Sequence, residues 1–135
     1  MAKLSILSDE NCLGQVEAIF QALDQLGYVE LLEVELLTWE QAGLAKSADD
    51  EVVWRFCQTH QCLLITGNRT GHDGEKSLEH ITRRLGSPSS LPVLTIGNLK
   101  RVTRDRQYCL ACAQRLADIL FDIEIYYGVT RLYLT

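Results

Sequence analysis

The chain lacks any apolar run that approaches the roughly 18 residues of a membrane span, so no span is expected. Its start lacks the basic, apolar and cleavage-site regions of a secretory leader, and a cytoplasmic protein is the expectation. It also lacks a surplus of positive charge. Lys and Arg number 13 against 18 Asp and Glu, a formal net charge of −5. That excludes a general attraction for nucleic acid and leaves only a local basic patch to supply one. The cysteines, Cys12, Cys57, Cys62, Cys109 and Cys112, are odd in number. In the reducing compartment expected here, a disulfide framework is not expected. The glycine-punctuated segment from Gly67 to Gly74 lacks the Gly-Lys-Ser/Thr of a Walker loop. No other cofactor motif supports a metabolic α/β enzyme, and the chain shows no repeat, low-complexity tract or linker.

What remains is a chain of 135 residues, 47% of them hydrophobic, which suits one domain with a proper core. Residues 4–7 read as a buried strand. Val16, Ile19, Phe20, Leu23 and Leu26 then recur at helical spacing, and Gly27 is the stop signal. A second strand is expected over 31–38 and a short helical turn over 39–45. Ser47 is expected to cap a helix whose first turn holds Asp49 and Asp50, with Val52, Val53, Phe56 and Cys57 inward. A third strand spans 62–66. A third helix spans 75–85, with Leu78, Ile81, Thr82 and Leu85 inward. A loop follows at 86–90 and a fourth strand at 92–97. After the polar, basic stretch 100–106, a long helix buries Leu110, Ala113, Leu116, Ala117, Leu120 and Phe121. Gly128 ends it, and an edge strand covers 131–134. Five alternations of strand and helix predict an α/β fold with a mostly parallel sheet of about five strands, covered by helices on both faces.

The most informative stretch is Leu4-Ser5-Ile6-Leu7-Ser8-Asp9-Glu10-Asn11. An apolar strand ends abruptly in two carboxylates, and ligands of open α/β sheets bind outside the carboxyl ends of the strands. Asp9 and Asp49 could converge on a hard divalent cation, with Glu10, Asn68 and Asp73 as further oxygen ligands. The plainer reading of Asp9 is a cap or turn residue, and that of Asp49 is a helix start favoured by the dipole.

These residues also resemble a known group. Ile6-Leu7-Ser8-Asp9-Glu10-Asn11 is similar to the opening L-x-D-E-N motif of PIN-like domains of the Mut7-C-like group. Asp49-Asp50-Glu51-Val52-Val53 matches that family's D-E-x-V helix start in type and spacing. Leu63-Leu64-Ile65-Thr66-Gly67-Asn68-Arg69-Thr70 stands where the family has L-[VI]-T-x-D-x-D-F. The motifs cover residues 4–70, and the rest agrees in element order alone. Asn68 and Thr70 replace the two late aspartates, and Gly71 replaces the phenylalanine. The resemblance implies a PIN-like three-layer α/β sandwich. It also implies a toxin-like ribonuclease dependent on Mg²⁺ or Mn²⁺, acting on single-stranded or structured RNA, with Asp9 and Asp49 catalytic. Its partner would be a cognate antitoxin or another protein. The alternative is a PIN-like domain without catalysis, serving as an RNA- or protein-binding module.

Lys100, Arg101, Arg104 and Arg106 should emerge at the same end of the sheet as Asp9. There they would grip phosphates, or form a solvated loop. Arg83 and Arg84 read as the dipole-friendly end of the third helix. His72, beside Asp73 and Glu75, is a base or ligand candidate on a surface loop. Cys109-x-x-Cys112 with Cys57-x-x-His60-x-Cys62 has poor spacing for zinc and core-like periodicity, so core thiols are expected. Trp39 and Trp54 read as packing residues. Ile123, Ile125, Tyr126 and Tyr127 extend apolar surface beyond one core face, which suits a homodimer.

Overall fold

The computed structural model describes residues 4–67 and 73–135, with the backbone alone for 73–77. β1 (Ser5–Ser8) runs through a 3-10 turn at Glu10–Cys12 into α1 (Leu13–Gln25). Gly27 takes φ +86°, a left-handed conformation that glycine adopts without steric cost. α2 (Tyr28–Leu32), β2 (Glu35–Leu37) and α3 (Trp39–Ala42) follow. Next come α4 (Asp50–Thr59), β3 (Cys62–Gly67), α5 (Asp73–Leu85) and β4 (Val93–Ile96). α6 (Leu99–Arg104) and α7 (Arg106–Phe121) lead through a 3-10 turn at Ile123–Tyr126 to β5 (Arg131–Tyr133).

The strands form one five-stranded sheet in the order β2-β1-β3-β4-β5, and every neighbouring pair is parallel. Leu7 lies opposite both Leu37 and Leu64, and Thr66 lies opposite Thr95. Successive strand residues point to opposite faces. Ile6, Leu63, Ile65, Leu94 and Ile96 therefore join one core with α1 and α7. Leu7, Cys62, Leu64 and Val93 join a second core with α4 and α5. Three layers result, as the alternation of elements predicts. Each fully buried Leu or Ile contributes roughly 1.5–3 kcal/mol, so both faces of the central strands fix the register. No helix among the described residues is long and apolar enough to cross a membrane.

Several local features differ from the sequence reading. Residues 31–38 divide between α2 and β2, because the left-handed turns at Gly27 and Glu33 bracket one short helix. Asp49, rather than Ser47, caps α4. The basic stretch is helical: Asn98 accepts the Arg101 N–H at 3.2 Å, and Val102 turns inward. α7 stops at Phe121, which is exposed, well before Gly128. Leu26 and Val52 are also exposed, whereas Trp54 packs in the second core. All five cysteines are free and buried.

Candidate functional site

The strand order reverses direction between β1 and β3: from β1 the chain goes outward to β2 on one side, then returns to β3 on the other. Such a switch point opens a crevice beyond the carboxyl ends of the two strands. A cavity of about 160 Å³ lies there, lined by Asp9, Glu10, Asp50, Trp39, Thr66 and Arg131 among others.

Each of these residues is placed by local backbone structure. Asp9 directly follows β1. Its N–H donates to the Ile65 carbonyl at 2.9 Å, which ties it to β3, and its carbonyl accepts from Cys12 N–H at 3.2 Å as the 3-10 turn begins. The Ser8 hydroxyl also donates to the Asp9 carbonyl, at 2.7 Å. Beneath lies Cys12, fully buried, whose thiol stands 3.6 Å from the Ile65 carbonyl. Burial pushes this thiol above its ordinary pKa, against the opposing effects of Ser8 and the Gly67 backbone. It is a packing group rather than a nucleophile.

Gly67 closes β3. A Cβ there would sit 2.5 Å from Leu99 Cδ1, so glycine lets α6 approach the strand end. Trp39 enters from α3, whose start is a capping box: Thr38 Oγ1 accepts from Gln41 N–H at 3.0 Å, and Gln41 Oε1 accepts from Thr38 N–H at 2.9 Å. Arg131 enters from the far edge. Leu132 and Leu134 pack with the first core, and alternation along β5 sets Arg131 on the opposite face. Its guanidinium carbon lies 6.0 Å from the Tyr133 ring centroid.

The two neighbouring aspartates take different places. Asp49 is exposed and caps α4, its Oδ1 accepting from Val52 N–H at 3.0 Å. Asp50, one residue on, lines the cavity. The sequence reading placed Asp49 in the site. Of the pair, Asp49 has its carboxylate engaged by the helix start, and Asp50 stands with Asp9 and Glu10. Asn68 and His72 lie outside the described residues, and Asp73 is the first residue of α5.

Among the described residues, no three His, Cys, Asp or Glu side chains gather into a ready metal-ligand set. The oxygens of Asp9, Glu10 and Asp50 are of the type that Mg²⁺ and Mn²⁺ prefer. Arg131 brings a competing positive charge to the same cavity.

α6 carries Lys100, Arg101 and Arg104 at the same end of the sheet, since Leu99 abuts Gly67, and Arg106 opens α7. Lys100, Arg101, Arg104 and Arg106 are all exposed. Arg101 pairs with Asp105 at 2.9 Å and lies over the Tyr108 ring at 4.4 Å. Arg106 donates to Gln25 Oε1 at 2.9 Å. Asp105 caps α7 by accepting from Gln107 and Tyr108 N–H at 3.1 and 3.3 Å. Arg101 and these N–H donors hold its carboxyl below the ordinary value.

Sequence reasoning missed Asp50, Arg131 and the cavity position of Trp39. A signal existed for Arg131, because the alternation Arg131-Leu132-Tyr133-Leu134 puts it opposite the buried leucines. The chain matches no family model, no curated protein and no solved structure.

Proposed function

We propose that this chain is a divalent-metal-dependent ribonuclease of the PIN-like kind. The observation that carries the reading is one cavity at the switch point whose lining includes Asp9 and Glu10, from the end of β1, and Asp50, from the start of α4. Asp9 and Asp50 would hold Mg²⁺ or Mn²⁺ through carboxylate oxygens, with water completing the shell. A bound ion of this kind supplies an activated water and neutralises charge on the phosphate. Arg131, whose planar fork matches phosphate oxygens, would sit across the cavity from the acids. Lys100 and Arg104, exposed on α6, would hold the RNA backbone outside it.

The test is cleavage of single-stranded RNA with Mn²⁺. Weak cleavage is expected from the parent chain, loss of it in Asp9→Asn, and a gain in Asn68→Asp, where a carboxylate replaces a neutral ligand type. No cleavage by either the parent or Asn68→Asp would contradict the reading.

A second reading is a PIN-like module that binds RNA or protein without catalysis. It is favoured by the lack of a gathered three-ligand set among the described residues. The exposed Phe121, Ile125 and Tyr127 support a protein partner or a homodimer at the far end of α7. Light scattering that gives a monomer mass across the micromolar range would contradict the homodimer.

A further inference from the structure

A second cavity, about 610 Å³, opens at the other end of the sheet. Leu4, Val34 and Gln61, the residues just before β1, β2 and β3, line it. It therefore lies beyond the amino ends of three parallel strands, away from the acidic cavity. The end of α7 and the 3-10 turn after it supply another wall. Phe121, Ile125 and Tyr127 of that stretch line the cavity and are 52%, 71% and 39% exposed. The Phe121 ring meets Tyr28 of α2 edge-on at 5.9 Å. Leu32 of that short helix also lines the cavity, and its neighbour Leu31 is 66% exposed. Apolar surface of this extent, open to solvent, marks an interaction face. Small-molecule sites enclose most of their ligand, whereas an open groove suits a segment of another chain.

The rim of this groove is negative. Asp122 and Glu124 are exposed and line it, and none of its described lining residues is basic. The carboxyl end of α7 adds about half a negative charge, and its last turn holds no Lys or Arg to offset it. Arg115, the last cation of that helix, lies over the Tyr126 ring at 5.8 Å and donates to its hydroxyl at 3.5 Å.

We propose that this groove docks a basic amphipathic helix of a partner protein, with aliphatic anchors on one face and Lys or Arg beside them. The anchors would lie against Phe121, Ile125 and Tyr127, and the cations would meet Asp122, Glu124 and the end of α7. None of the described lining residues belongs to a strand, so a helix laid in the groove fits better than an added strand. A second copy of this chain fits less well. An isologous pair would set two negative rims against each other, and like charges across an interface cost affinity. The net charge of −5 also favours the approach of a basic partner. The inference rests on the protein-binding reading and is independent of the nuclease reading, because it uses none of the residues of the acidic cavity.

The test is fluorescence anisotropy of labelled peptides titrated with the full chain. The probes are amphipathic helical peptides that share their Leu positions and carry Lys, Gln or Glu at the polar ones. The Leu/Lys peptide should bind saturably, and the Leu/Gln and Leu/Glu peptides about tenfold more weakly or not at all. Ile125→Ser, at an exposed side chain, should weaken the Leu/Lys peptide about tenfold, as loss of one apolar anchor implies. Glu124→Lys should weaken it as well, and Asp50→Asn, in the acidic cavity, should leave it unchanged. Equal binding of all the peptides, or a loss in Asp50→Asn with none in Ile125→Ser, would overturn the proposal and leave the protein-binding reading standing. A dimer in light scattering that Ile125→Ser dissociates would overturn it in favour of a second copy. A monomeric chain that binds none of the peptides would overturn the proposal and that reading together.

Discussion

The indole N–H of Trp39 donates to the carbonyl of Ser8 at 2.8 Å, and this bond ties the segment after β2 to the last residue of β1, one position before Asp9. The Ser8 side chain is buried. Trp39→Phe keeps most of the ring packing but removes the donor. A loss of about 1 kcal/mol in urea unfolding is expected, as for other part-buried hydrogen bonds. Divalent-ion affinity should fall with it. Unchanged stability together with unchanged affinity would show that the bond does not position the strand end.

Asp49 and Asp50 separate capping from the site. Asp49→Ala should lower stability by about 1 kcal/mol through loss of the cap, whereas Asp49→Asn, a comparable capping residue, should change it little. Neither should alter Mn²⁺ affinity. Asp50→Asn should instead weaken ion binding. Chemical denaturation paired with calorimetric titration of Mn²⁺ checks both.

The division between Asp49 and Asp50 marks how far the sequence could be read. Apolar runs at 62–66 and 92–97 were legible because both faces of each strand are buried, one in each core, and the helical spacing from Val16 to Leu23 because its one apolar face is buried in the first core. Residues 28–37 were not, because Tyr28-Val29-Glu30-Leu31-Leu32-Glu33-Val34-Glu35 fits both periods. The left-handed turn at Glu33 separates helix from strand. Asp9 was legible from its position at a strand end. Which of two adjacent aspartates caps a helix depends on one backbone torsion, and the cavity role of Asp50 follows only after that is set. That Arg131 lines the same cavity as Asp9 depends on β5 pairing with β4, a long-range contact.

Gly67→Ala should destabilise the chain by about 1–3 kcal/mol, since the added Cβ would overlap Leu99 in a packed contact. Leu99→Ala opens space at that point. The double variant should therefore be more stable than the sum of the two single losses implies, a coupling that a double-mutant cycle reads directly. Additive losses would show that the strand end and α6 do not meet as described.

Asp105 gives a pH dependence of known sign. Its carboxyl is held below the ordinary 3.8 by Arg101 and by the N–H groups it caps, so the folded state binds its proton less readily than the unfolded chain. Its contribution is present above the ordinary value and is lost as pH falls through the lowered one. Asp105→Asn keeps the capping oxygen but not the titration. The variant should therefore lose less stability between pH 5 and pH 3 than the parent does, read as the change in Tm.

The five buried thiols should resist a thiol reagent in the native state. Burial raises those of Cys12, Cys109 and Cys112 above their ordinary pKa, and a hydrogen bond that the Cys57 thiol gives to Cys62, together with burial, raises that of Cys57. Slow labelling in buffer and five fast equivalents in guanidinium are expected. A fast equivalent in buffer would place one thiol at the surface.

The claim that Asp9 and Asp50 share an ion site is tested most directly by the electron paramagnetic resonance signal of free Mn²⁺ during titration with protein. The parent chain should quench the free-ion signal with one saturable site. Asp9→Asn should abolish the quenching, Asp50→Asn should weaken it, and Asp49→Asn should leave it as in the parent. A full free-ion signal with the parent chain, or equal losses in Asp49→Asn and Asp50→Asn, would contradict the account.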